Sequence, residues 1–139
     1  MKKNLLALAL VPCLTLLSGC ASSSDHGAYA PIHTNINNLE DSARFVLLDP
    51  QMQQAVTCVS IQESRLPDNR LQVSANLRNM LNRRLQIQVN CQFKDAQGFP
   101  VEETSFQNMF LDENAQEGVT FAAASDKAIR YTIRARQAR

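Results

Sequence analysis

Residues 84–94 read Arg84-Leu85-Gln86-Ile87-Gln88-Val89-Asn90-Cys91-Gln92-Phe93-Lys94. Apolar Leu85, Ile87, Val89, Cys91 and Phe93 alternate with polar Gln86, Gln88, Asn90, Gln92 and Lys94. Successive side chains of a strand point to opposite faces, so a sustained period of two predicts a half-buried strand. The same alternation recurs on either side. Leu71, Val73, Ala75 and Leu77 are interleaved with Gln72, Ser74, Asn76 and Arg78. Near the end, Ile129, Tyr131, Ile133 and Ala135 are interleaved with Arg130, Thr132, Arg134 and Arg136. Shorter runs at 44–48, 55–62, 104–111 and 118–124 carry weaker strand patterns, and no helix is expected beyond Arg44.

The joints between these runs are turn chemistry. Leu66-Pro67-Asp68-Asn69 suits a type I turn, with Pro presetting φ and the Asp and Asn side chains bonding the local backbone. Asp95-Ala96-Gln97-Gly98 suits a short hairpin loop, and Ser125-Asp126-Lys127 is expected to close the last hairpin. About seven short strands in roughly 95 residues predict an all-β, immunoglobulin-like antiparallel β-sandwich. The core Trp of a true immunoglobulin domain is absent, because the chain contains no Trp.

Upstream, the sequence is an address. Lys2 and Lys3 precede an uncharged apolar run from Leu5 to Leu17. A helix of that length rises only about 20 Å, short of the ~30 Å hydrocarbon core, so a secretory signal is expected rather than a permanent span. The run ends in Leu17-Ser18-Gly19-Cys20, which resembles the lipobox of bacterial lipoproteins. That resemblance implies lipidation of the Cys20 thiol and cleavage before it. Ala21, rather than Asp, follows the Cys, which in such proteins implies sorting to the outer membrane with the polypeptide facing the periplasm. The expected organisation is a signal peptide at 1–19, an acylated Cys and flexible Ser- and Asn-rich tether at 20–43, and a β-sandwich at 44–139.

Composition narrows the function. The 139 residues are 45% hydrophobic and 19% charged, the balance of a folded domain rather than a disordered one. The 14 Lys and Arg nearly cancel 13 Asp and Glu, and loss of Lys2 and Lys3 with the signal turns +1 into −1. Neither value gives the field that draws a protein to nucleic acid, so no nucleic-acid partner is expected. The two His, His26 and His33, lie in the tether with only Asp25 beside them, so no metal site is expected. No cofactor other than the covalent lipid is expected.

Read from Arg44 to Arg136, the chain resembles the YcfL-like family of small bacterial lipoproteins. The features that carry the likeness are the lipobox, the extended Phe45-to-Asp49 segment, and Phe93 placed before the Asp95-x-x-Gly98 turn. The basic alternating strand from Ala128 to Arg136 also sits where the family ends. Cys91, Phe93 and Lys94 stand where the family commonly has Tyr and Trp. The resemblance implies no assigned activity. It implies only an association with peptidoglycan synthesis, through genes that often neighbour that of a lipoprotein activator of a peptidoglycan synthase.

Candidate chemistry in the domain is sparse. Cys58 and Cys91 remain once Cys13 leaves with the signal and Cys20 is acylated. Two readings stay open: a disulfide closing a loop of about 33 residues and worth about 3–4 kcal/mol, or two buried free thiols. Glu102-Glu103 and Asp112-Glu113 are carboxylate pairs, but neighbours on a strand face opposite ways, so solvated charges are the simpler reading. The outward row Gln86, Gln88, Asn90 and Gln92, with Gln72, Ser74 and Asn76 on an adjacent strand, is a candidate interaction surface. Arg130, Arg134 and Arg136 form a second, either as edge-protecting charges or as an anion site for headgroups or an acidic partner. The expectation is a non-enzymatic module, anchored to the membrane by its lipid and engaging an envelope protein. The alternatives are a small peptidoglycan-acting enzyme, which needs a cleft of convergent groups, and a ligand carrier, which needs a large apolar cavity.

Overall fold

The structure is a computed structural model and describes residues 39–138. The first turn of helix, α1 (Leu39–Ser42), leads into β1 (Phe45–Leu47) and a 3₁₀ turn at Pro50–Gln54. Then follow β2 (Val56–Arg65), β3 (Leu71–Asn79), β4 (Leu85–Lys94), β5 (Pro100–Glu103), β6 (Gln107–Leu111), β7 (Gln116–Ala122) and β8 (Arg130–Gln137). The all-β sandwich is as expected, with eight strands among the described residues rather than seven. Cys20, His26 and His33 lie outside the described residues.

One sheet runs β1-β8-β4, with β5 and β6 both beside β4, and the other runs β2-β3-β7. The rows legible in the sequence supply the core. Val73, Leu77, Ile87, Val89, Cys91, Phe93 and Ile133 are all fully buried. Burying each large aliphatic or aromatic side chain contributes about 1.5–3 kcal/mol, so β3 and β4 hold most of the stabilising surface.

Two turns form as their residues dictate. Asn69 N–H bonds Leu66 O at 2.8 Å, and Asn69 takes φ +65°, which Asn tolerates better than most residues. At the other hairpin Asp95 Oδ1 accepts the N–H groups of Gln97 and Phe99, each at 2.9 Å. Gly98 there has φ +95°, which only glycine adopts without strain.

Three expectations are corrected. β3 and β4 are consecutive but lie in different sheets, so Gln72, Ser74 and Asn76 do not extend the polar row of β4. Both strands carry an apolar row, and these bury more surface facing each other across the core than lying side by side. The crossover is held by Asn79, fully buried. Its Nδ2 donates to the carbonyls of Arg83, Leu111 and Asp112 at 2.7, 3.2 and 2.9 Å, and its Oδ1 accepts Leu81 N–H at 2.9 Å.

The second correction is that Ser125–Lys127 closes no hairpin, since β7 pairs with β3 and β8 with β4 and β1. The third is that the sandwich is not wholly antiparallel: β1 runs parallel to β8, from Phe45 beside Ile133 to Leu47 beside Ala135. Almost the entire domain connects these strands, so no short loop dictates their direction. Residues 39–43, read as the end of the tether, are tied to the domain. Thr132 Oγ1 donates to Glu40 O and Ala43 O at 2.8 and 2.9 Å.

Candidate functional site

The outer face of the β1-β8-β4 sheet brings several of the candidate residues together. Register places Asn90 beside Arg134 and Gln88 beside Arg136. Arg134 Nε donates to Asn90 Oδ1 at 3.1 Å, and its terminal nitrogens reach Glu103 and, at 3.7 Å, Glu40. Asn90 Nδ2 in turn donates to Glu103 Oε1 at 3.0 Å and to Thr104 O at 3.2 Å. Arg136 Nε donates to Gln88 Oε1 at 3.0 Å, and Gln88 Nε2 donates onward to Asn108 Oδ1 at 3.1 Å. The Phe106 ring lies under both cations, 3.7 Å from the Arg136 guanidinium carbon and 5.9 Å from that of Arg134.

Arg134 is a satisfied group in this ladder, whereas Arg136 commits its Nε–H to Gln88 and stacks on Phe106. A guanidinium that already binds a carboxylate and an amide has few donors left for a ligand, and the flat ring beneath it excludes water. Only 12% of the Arg134 side chain is exposed. Gln86 pairs in register with Phe110 and is exposed, while Gln92 lies half-buried between Glu103 and Thr132. Arg130 stands apart, at the start of β8 beside Lys94. The sequence reading took Glu103 for a solvated charge and gave Phe106 and Lys94 no role at the site. The contribution of Glu103 and Phe106 depends on the β5–β6 segment folding against β4, and that of Lys94 on β8 lying beside β4, which no local pattern records.

Cys58 and Cys91 are both free thiols, so the disulfide reading is not realised in the structure. They belong to different sheets, and Cys58 turns its S–H toward Ser60 O at 3.6 Å where the register of β2 shifts. Burial raises both thiols, that of Cys91 to about 12, so neither has the thiolate character of a reactive cysteine. The carboxylate pairs also have structural partners. Glu102 accepts Ala124 N–H at 3.0 and 2.7 Å, tying β5 to the end of β7, and Asp112 pairs with Arg84 at 3.2 Å.

Two concavities lie along the side of the sandwich where β1 and β2 are the outermost strands. A groove of about 720 Å³ runs between them, lined by Phe45, Val46, Leu47, Val56, Cys58 and Ile61 among others. A second cavity, of about 440 Å³, lies where β8 begins, with Arg44, Glu63, Lys94, Arg130 and Tyr131 in its wall. There Tyr131 Oη donates to Glu63 Oε1 at 2.9 Å, and Arg44 pairs with the same oxygen at 3.0 Å. Burial, reinforced by the neighbouring Glu63 carboxylate, pushes the Tyr131 hydroxyl well above the usual phenol range.

No family model matches the chain, and no curated protein matches it. Solved structures do. The crystal structure of Campylobacter jejuni cj0090 superposes with a TM-score of 0.58 at 11% identity, covering 68% of this chain and 98% of that one. A DUF1425 family member from Shewanella sp. pv-4 superposes with a TM-score of 0.55 at 19% identity, covering 60% of this chain and 78% of that one. At these identities the likeness establishes a shared fold.

Proposed function

We propose that this chain is an outer-membrane-anchored periplasmic lipoprotein of YcfL-like type, a non-enzymatic protein-interaction module of the cell envelope linked to peptidoglycan synthesis. The lipobox ending in Cys20 supports the anchor, and the fold shared with a DUF1425 family member is consistent with a small envelope protein. The observation that carries the interaction reading is β2. It is ten residues long, lies at the border of its sheet, and pairs only with β3 among the described residues. An outermost strand offers its backbone N–H and C=O groups to an extended partner segment. On the polar face, by contrast, Arg134, Asn90 and Gln88 already bond to one another's neighbours within the sheet.

Two measurements test this. Cys20→Ala removes the acylation site and should shift the protein from the membrane fraction to the soluble one; unchanged detergent partitioning refutes the anchor. Photo-crosslinkers placed in living cells at Thr57 and Gln62, both exposed on β2, should capture one dominant envelope protein. A crosslinker at Gln86 should not, and equal capture from both strands refutes the β2 assignment.

A second reading, a carrier of an apolar ligand, is favoured by the groove of about 720 Å³. It lies at the seam between β1 and β2, not inside the sandwich, whose interior is filled by Phe93, Leu77 and Ile87.

A further inference from the structure

Exposed apolar side chains gather at the end of the sandwich where β4 stops and β8 starts. The Asp95–Gly98 turn there carries Phe99, 69% exposed, and β5 continues with the exposed Val101. Ile129, half exposed, is held at the same place. Its N–H donates to Lys94 O at 2.8 Å, while Asp95 N–H donates to Phe99 O at 2.9 Å. The Arg130 guanidinium lies beside Gly98 of this turn and makes no hydrogen bond or ion pair among the described residues. The opposite end differs. Phe110, across from Gln86 near the start of β4, has the Arg84 guanidinium 4.7 Å above its ring.

The turn displays Phe99 on a fixed backbone. Asp95 Oδ1 accepts the N–H groups of Gln97 and Phe99, and Gly98 holds φ +95°. Little freedom is then lost when the ring meets a partner. Asp95 and Asp126 offset Lys127 and Arg130 in the two loops, so apolar contact leads and net charge does not. Aromatic and aliphatic side chains at loop tips suit a deformable surface better than a protein groove. The boundary between acyl chains and headgroups takes such side chains, with an adjacent arginine reaching the phosphates. The chain also enters the domain here. Glu40 O accepts Lys94 Nζ and Thr132 Oγ1, so the segment leading from Cys20 meets the sandwich at the residue before Asp95.

We infer that this end of the sandwich lies on the bilayer surface, with Phe99, Val101 and Ile129 at the headgroup boundary and Arg130 on a lipid phosphate. The inference goes beyond the anchor at Cys20, which would hold the chain to the membrane without fixing how the domain lies on it.

The chain has no Trp, so Phe99→Trp installs a single reporter and Phe110→Trp a control at the opposite end. Each full-length chain is reconstituted in vesicles of phosphatidylethanolamine and phosphatidylglycerol with brominated acyl chains. Fluorescence of the Phe99→Trp chain should be quenched about threefold more than that of the Phe110→Trp chain, and adding Arg130→Gln should about halve the difference. Equal quenching at the two positions, or none, overturns the inference. So does a blue shift of the Phe99→Trp chain that grows with protein concentration without vesicles, which marks a second copy as the occupant. Hydrogen exchange needs no substitution in the patch. Residues 95–99 and 127–130 should exchange more slowly in the vesicle-bound chain than in Cys20→Ala in buffer, with 80–84 alike in both; no slowing at 95–99 also overturns the inference. Mass spectrometry of Cys20 in the same samples reads the anchor separately. A chain without acyl groups refutes the anchor alone, and the same quenching comparison, made by titrating that chain with the vesicles, then decides the inference.

Discussion

Tyr131 and Glu63 meet between the two sheets: the Tyr131 hydroxyl donates to Glu63 Oε1 at 2.9 Å, joining the start of β8 to the outer half of β2. Tyr131→Phe removes the donor and keeps the ring. A hydrogen bond to a charged acceptor contributes about 1.5–3 kcal/mol, and partial exposure of Glu63 places the cost at the lower end. Urea denaturation should show a stability loss of about 1–2 kcal/mol with an unchanged slope.

Asn79 is the more sensitive position. Its amide serves three carbonyls and one N–H at the crossover, and Asn79→Ala removes all four contacts, although Asp112 O keeps the Ala115 N–H. Leaving several buried groups unsatisfied should cost about 3 kcal/mol. Asn82→Ala, which removes only an exposed contact with Asn114, should change stability by less than about 0.5 kcal/mol. Thermal unfolding of the two variants side by side checks the contrast.

The division within the arginine row predicts a second contrast. Arg134→Met breaks contacts with Asn90, Glu103 and Glu40 and should destabilise the fold by about 2 kcal/mol. Arg130→Met removes no internal partner and should leave the unfolding midpoint within about 0.5 kcal/mol of the parent. Equal effects in denaturant would mean that the ladder is not the source of the difference.

Alkaline stability should fall through Cys91. Its thiol is pushed up from about 9 to about 12 by burial, so above pH 9 the unfolded chain gives up this proton while the folded chain keeps it. Stability from this group is fully present below pH 9 and falls by about 1.4 kcal/mol per pH unit from there toward pH 12. Tyr131, raised in the same direction, adds to the loss above pH 10. Urea midpoints at pH 8 and pH 10.5 should separate widely in the parent chain and less in Cys91→Ala.

Free thiols at both positions have a direct signature. Alkylation of the unfolded, unreduced protein, mapped by mass spectrometry, should modify both Cys58 and Cys91. In the folded protein Cys91 should be protected and Cys58 should react slowly, since one is fully and the other partly buried. Absence of label at both sites in the unfolded chain would demonstrate a bridge.

Much of this architecture can be read from residues 71–78, 84–94 and 130–136, because a strand with one face in the core must alternate. β5 escaped notice because Pro100-Val101-Glu102-Glu103 has no apolar face to display; it is held by β4 and buries little. The sheet to which each strand belongs is also absent from the pattern. The short Met80–Arg84 connection looks like a hairpin until Asn79 is seen anchoring a crossover. Arg130, Arg134 and Arg136 all fall on one face of an alternating strand, yet only two of them meet partners. That difference comes from Glu103 on β5 and Phe106 in the link to β6, a segment placed by tertiary pairing with β4.

The position of β8 bears on how the molecule comes into being. It is the last strand described, yet it lies inside its sheet, between β1 and β4. A nascent chain that has not yet emerged past Gln137 holds two strands with a vacancy between them and half a core open to solvent. Cooperative folding of the sandwich must therefore wait until Gln137 has emerged, and until then the polypeptide remains threadable.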